Sequence, residues 1–295
     1  MAQSSVIPPP AGSLVSRRGE RSIGAILIDA GKLTAEDAER ILRLQRERGL
    51  RFGDAATQLG LITQADIEFV LSRQFDYPYL LRGQSDVRED LVAAYVPFSP
   101  QVEALRALRS QLMLRWVDID PAHKALTIVS ADRHEGRSFI AANLAVVFSQ
   151  LGEHTLLIDA DLRNPCQHQL FGLDNRAGLS TVLSGRAGPE AVQRIPALLD
   201  LSVLPAGVLP PNPLELLARP LFTQLLQELA QEFDVIILDS PAAAKYADAQ
   251  TLAMRTGAAL IVARKNGTRV SQVQDVANSL VHARTTVVGT VLNDF

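Results

Sequence analysis

Four charged residues carry the chemistry this sequence can do. Asp159 and Asp161 close the run TLLIDADLRNP, Asp239 closes FDVIILDSPA, and Arg137 stands inside SADRHEGRSFIAANLA. Carboxylates two residues apart at the end of a strand point to one side. A single Asp there is most often a turn former or a helix cap. Three such acids beside an anion-binding loop are better explained by a hydrated Mg²⁺, which takes few carboxylates and completes its shell with phosphate oxygens and water. Arg137 offers a forked cation for phosphate oxygens, and Ser138 offers a hydroxyl for the ion. Together the set could hold a triphosphate and its metal.

The loop spells this imperfectly. ALTIVSA runs into Asp132–Gly136 and then into a helix starting near Ser138, the strand, loop and helix order of a phosphate-binding loop. Against G-x-x-x-x-G-K-[ST], however, Ala131 takes the first glycine position and Arg137 the lysine. The helix N-terminus still supplies free N–H groups and the positive end of the dipole. His134 is the harder substitution, because a side chain there crowds the anion or demands an unusual backbone angle. The letters alone leave a working cradle and an inert turn equally open.

The elements that must position these groups form two patterns. From Gln101 onward a helix leads into short apolar runs, ALTIVSA, TLLIDAD, LSVLPAG, DVIILDS, AALIVAR and VVGTVLN, separated by helix-sized pieces. That alternation predicts an α/β fold, a mostly parallel doubly wound sheet whose ligands sit at the carboxyl ends of the strands. Ahead of it, Ser22–Gln45 is echoed by Arg51–Gln74, with Gly24 over Gly53, Gly31 over Gly60, Thr34 over Thr63 and Gln45 over Gln74. Each copy reads as a short helix ended by glycine and a second helix opened by Thr with Asp three residues on, so a small all-helical domain is expected over 21–80. Residues 1–20 read as a disordered leader, 81–100 as a linker with one short helix or strand, and 101–295 as the α/β domain.

Composition narrows the function. The 295 residues are 47% hydrophobic, with 29 basic and 32 acidic side chains, which gives no basic surface for nucleic acid. One cysteine, Cys166, permits no internal disulfide and fits a reducing, cytoplasmic setting. No apolar run approaches the ~20 residues of a membrane-spanning helix, and the first residues lack the apolar core expected of a secretory signal.

On EGRSFIAANLA, LLIDADLRNP, FDVIILDSPA, PAGVLPPNPLELL and VVGTVLN, residues 101–295 resemble the bacterial tyrosine kinases, deviant-Walker relatives of the ParA and MinD ATPases that accompany polysaccharide chain-length determinants. They look most like the EpsG-type branch. The resemblance implies ATP and Mg²⁺ held by His134, Glu135, Gly136, Arg137, Ser138 and Phe139, with Ser138, Asp161 and Asp239 at the metal. It implies Asp159 as the group that orients or deprotonates the attacking tyrosine, and Asn293 near the adenine, a residue that reads equally well as a turn former. The usual loop is P-G-E-G-K-S, so Arg133, His134 and Arg137 depart from it. Glu103, Arg106 and Arg109 lie along one half of the helix after Gln101; in these kinases such a helix joins subunits into a ring, whereas on their own they also fit a solvated face. The family's tyrosine-rich tail has no counterpart after Phe295, and Tyr77, Tyr79 and Tyr95 are candidate phosphoacceptors or packed aromatics.

The resemblance therefore implies an autokinase that regulates exopolysaccharide polymerisation, chain length and export, peripheral to the inner membrane through a separate chain-length determinant partner. A catalytically weak nucleotide-binding scaffold and a ParA- or MinD-like positioning ATPase are the alternatives. The helical repeats resemble the N-terminal domain of type II secretion ATPases (MshEN-like), which implies cyclic di-GMP or a docking protein at Arg51, Gly53, Gln74, Gly24 and Gln45. Ser22 stands there where the first copy should carry arginine.

Overall fold

The computed structural model describes residues 22–63, 66–67, 70, 79–119, 124–198 and 200–294. The leader, Gln74 and Tyr77 lie outside the described residues. The chain divides into two compact units, one ending at Tyr77 and one spanning Pro78–Phe295.

The first unit is built from capped helices. α1 (Ile23–Asp29) starts at Ser22, whose hydroxyl accepts from the Ala25 N–H at 3.3 Å. Thr34 opens α2 (Ala35–Arg48) with a reciprocal capping box, Asp37 N–H to Thr34 Oγ1 at 3.1 Å and Thr34 N–H to Asp37 Oδ2 at 3.2 Å. The second copy repeats it after α3 (Phe52–Gln58), where Thr63 and Asp66 exchange bonds of 2.9 and 3.2 Å. Leu27, Ile41, Ala55, Ala56, Ile62 and Val70 form a buried cluster. Gly24 faces Phe52 and Gly53 faces Ile67 so closely that an added Cβ would sit 3.2 and 3.1 Å from those side chains. Helix packing therefore accounts for both glycines.

In the second unit, the stretch read as a linker is part of the core. Leu91 and the one-turn α4 (Val92–Tyr95) bury Leu91, Ala93, Ala94 and Tyr95. The Ala93 N–H donates to Asn143 Oδ1, and its carbonyl accepts from Gln150, both at 2.9 Å. Small apolar residues let this turn lie flat on the helix that carries the phosphate-type loop, and polar partners satisfy its backbone. Next, α5 (Pro100–Leu112) is capped by Ser99.

The six expected strands all form: β1 (Ala125–Ser130), β2 (Thr155–Asp159), β4 (Leu201–Leu204), β5 (Val235–Asp239), β6 (Ala258–Arg264) and β7 (Thr286–Asn293). A two-residue β3 (Gln193–Arg194) adds an antiparallel edge to β4. The sheet order is β3-β4-β2-β5-β1-β6-β7, with the other pairings parallel. β2 and β5 are buried throughout, as strands covered on both faces must be. From β1 the chain enters α6 (Arg137–Ser149), where residues from Ile140 to Ser149 are all buried. Each fully buried Ile, Leu or Phe there contributes about 1.5–3 kcal/mol, so the segment carrying the loop is among the most firmly held. β1 leads away to β2 on one side while β6 returns on the other, and this topological switch leaves a crevice at the strand tips.

Candidate functional site

Strand register brings the acids together. Asp159 on β2 pairs with Asp239 on β5, and Ile128 on β1 sits beside Asp239, two residues before the end of that strand. Asp161 follows β2 by two residues. Arg137, the first residue of α6, folds back onto this cluster with three separate nitrogens: Nε to Asp239 Oδ1 at 3.2 Å, Nη2 to Asp161 Oδ2 at 3.3 Å and Nη1 to Ser130 Oγ at 2.8 Å. The guanidinium is buried, as are all three acids. A planar fork with donors on three atoms reaches acceptors on three segments, which a single ammonium cannot do as well.

Burial and mutual repulsion dominate the electrostatics. Asp159 is held well above the usual carboxylate range, first by burial and then by the charge of Asp239, with the Cys166 and Gln167 backbone N–H groups opposing. Asp239 is raised by burial, against the pull of Arg137, Ser138 and Gln167. The Cys166 thiol, beside the same acids, is pushed up to about 12, again chiefly by burial. It is an inert thiol rather than a nucleophile.

A cavity of about 350 Å³ opens over the loop, lined in part by His134, Gly136, Ser138, Asp161, Pro241 and Tyr246. No side chain caps α6, whose N-cap Gly136 has φ 87°. The cavity floor therefore presents an uncapped helix N-terminus and its dipole to an anion. His134 adopts φ 61°, the angle that favours glycine, and its side chain is exposed at the lip. Strain at this position is real, while the imidazole leaves the cavity open.

The loop is fastened by Glu135 and Asn293, which sequence reading placed at the nucleotide, and by Thr268, which it did not single out. Buried Glu135 accepts the Asp132 N–H at 3.0 Å through Oε2 and the Thr268 hydroxyl through Oε1. Asn293 donates its amide to the Glu135 carbonyl at 3.1 Å, so the residue expected near an adenine braces the loop in this structure. Arg163 donates to both oxygens of buried Asp248 at 3.1 Å and lies 4.0 Å over the Tyr246 ring. Gln167 donates to Asp239 Oδ2 at 2.7 Å. Thr268 lies 133 residues from Glu135 and Asp248 lies 85 from Arg163 along the chain, and no spacing rule points to these pairs.

Phe139 is half-buried on α6, packs against the core and lines the same cavity. The remaining expected residues fall elsewhere. Glu103 and Arg106 make an exposed i,i+3 pair at 3.1 Å, while Arg109 turns inward and donates to the Val147 carbonyl at 2.6 Å. Tyr95 is buried with its hydroxyl on the Val87 carbonyl, which removes it as an accessible phosphoacceptor. Arg51 caps α3 through its backbone and is exposed, and Gln45 is half-buried on α2.

Two buried oxygens, Asp159 Oδ1 and Gln167 Oε1, have no partner. Among the described residues no three carboxylate, thiol or imidazole groups close on one point as a ready-made metal site. That donor set suits Mg²⁺, which takes one or two protein carboxylates and fills its shell with phosphate oxygens and water.

A parallel sheet with this loop after β1 and acids at the tips of β2 and β5 defines the P-loop nucleotide-binding class in its deviant-Walker form. No family model matches the chain. It is 34% identical over 209 residues to the tyrosine-protein kinase YwqD of Bacillus subtilis (strain 168), covering 71% of this chain and 87% of that protein. It is 34% identical over 216 residues to the putative tyrosine-protein kinase EpsB of Ralstonia solanacearum, 72% of this chain but only 28% of that longer relative. The solved kinase domain of the Escherichia coli tyrosine kinase ETK matches with a TM-score of 0.68 at 31% identity, over 75% of this chain and 85% of that one. The chain belongs to the bacterial tyrosine-protein kinase family.

Proposed function

We propose that this protein is an ATP- and Mg²⁺-dependent protein-tyrosine kinase that regulates exopolysaccharide polymerisation, chain length and export. The observation that carries the reading is the triple grip of Arg137 on Asp161, Asp239 and Ser130 beneath an uncapped helix N-terminus. In this structure the guanidinium serves as counterion to acids that would otherwise repel one another. On binding, Arg137 turns to the β- and γ-phosphates, and Ser138, Asp161 and Asp239 hold the metal with its waters. Magnesium, when bound, would neutralise phosphate charge. The first-turn N–H groups of α6 grip the same oxygens, and Glu135 keeps the loop in shape through Thr268. Asp159 orients the incoming tyrosine hydroxyl and accepts its proton at Oδ1, a role that a raised carboxylate suits near neutral pH.

Phosphotyrosine blotting after incubation with ATP and Mg²⁺ tests the reading. Signal in the native protein that disappears in Asp159→Asn is expected; no signal in either returns the chain to the scaffold alternative.

The partner proposed is an inner-membrane chain-length determinant, which places the kinase peripherally at the membrane. Among the described residues no helix is long and apolar enough to cross one. A ring of subunits joined through Glu103 and Arg106 is proposed with it, Arg109 being engaged within its own fold. For the first unit, cyclic di-GMP at Arg51, Gly53, Gln74, Gly24 and Gln45 remains a proposal for calorimetry on the full chain. Heat of binding that Arg51→Ala removes supports it, and no heat ends it.

A further inference from the structure

Gln167 is fully buried and touches the ends of β2 and β5 and the first turn of α6. Its backbone N–H donates to Asp159 Oδ2 at 2.9 Å, and its Nε2 donates to Asp239 Oδ2 at 2.7 Å and to the Ser138 carbonyl at 3.2 Å. Asp239 already has a full positive charge beside it, so what a neutral amide adds is direction. With Oδ2 held by Gln167, Asp239 presents Oδ1 to Arg137. The same side chain leaves Oε1 buried without a partner. A glutamine that needed only to fill space would not strand an acceptor there, because a buried unpaired oxygen is costly.

We infer that Gln167 is a positioning residue for the metal ion: it fixes the orientation of the Asp239 carboxylate, and its unpartnered Oε1 accepts from a donor that arrives with the ligand. The inference rests on the nucleotide and Mg²⁺ reading above. Partners of this kind, behind a metal-binding carboxylate, change metal affinity without touching the metal. Gln167 would thus set how strongly nucleotide binding depends on magnesium, and leave the phosphate grip to Arg137 and α6.

The test is calorimetry of ADP binding to the full chain, with Mg²⁺ and with chelator, comparing native protein with Gln167→Met. The readout is the ratio of the two affinities, which is expected to fall about tenfold in the variant. A merely structural role lowers both affinities together and leaves the ratio unchanged, and that result, like two unchanged affinities, overturns the inference. Should Gln167→Met fail to fold, Gln167→Asn answers the question, since it keeps the amide but its shorter side chain cannot hold Asp239 and Ser138 together. Its ratio should fall as well, and an unchanged ratio would overturn the inference. If native protein shows no Mg²⁺-dependent ADP binding, the nucleotide reading fails and takes the inference with it, a result distinct from a normal native response that Gln167→Met shares.

Discussion

Replacing Arg137 by Met isolates the counterion role of this residue in the ligand-free protein. The guanidinium spans Asp239, Asp161 and Ser130 at 3.2, 3.3 and 2.8 Å, in a site where both acids are buried. Methionine keeps most of the volume and removes the charge, which leaves carboxylates that cannot all stay ionised. Breaking one partner out of such a buried ionic set costs about 3–5 kcal/mol. Lysine keeps the charge on a single nitrogen and cannot serve three segments as well, so its cost should be about 1–2 kcal/mol. Urea unfolding of the second unit, without nucleotide, measures both. The dependence on pH gives a second readout. Asp159 and Asp239 are held above their ordinary value of 3.8, so the folded state binds more protons than the unfolded one. Their contribution is complete below that ordinary value and is lost as pH rises through the folded values. Arg137 pulls Asp239 down, so removing it raises the folded value of Asp239 further, and the deficit of Arg137→Met should be small in acid and grow toward neutral pH. A Met variant within 1 kcal/mol of native protein near neutral pH, on the scale of an ordinary surface change, would refute the argument. So would a deficit that does not change with pH.

Two further outcomes follow from the same geometry. His134 at φ 61° is exposed and makes no contact that glycine would forfeit, so His134→Gly should stabilise the second unit by about 1 kcal/mol, visible as a higher melting temperature; an unchanged or lower one contradicts the strain assignment. Glu103→Arg sets like charges at 103 and Arg106 and changes a side chain that is 72% exposed, which should dissolve any ring while leaving monomer stability within about 0.5 kcal/mol; unchanged mass by light scattering refutes that interface.

Much of the architecture was legible because its signals are local. Six β-branched runs, each ending at a turn, announce six parallel strands, and Thr34 with Asp37 announces a helix start. β3 was not legible, since Gln193 and Arg194 carry no apolar signal and pair only because β4 leaves an open edge. Residues 81–100 read as a linker because charge and proline dominate their ends, yet Leu91, Ala93, Ala94 and Tyr95 pack into the core. The acids could be named from strand ends, but the direction of Arg137 could not. Spelling places it toward phosphate, whereas in the folded chain it also pairs with Asp161 and Asp239. Gln167, Thr268 and Asp248 act through contacts set by the folded chain, and no motif marks them.

The central claim is that Arg137 exchanges one set of anions for another, leaving Asp161 and Asp239 when nucleotide and metal arrive. A crystal structure of the protein with ADP and Mg²⁺ tests it most directly. The account predicts the guanidinium on phosphate oxygens, with both carboxylates released to the metal and its waters. Nucleotide bound over an arginine still paired with Asp161 and Asp239 would contradict it.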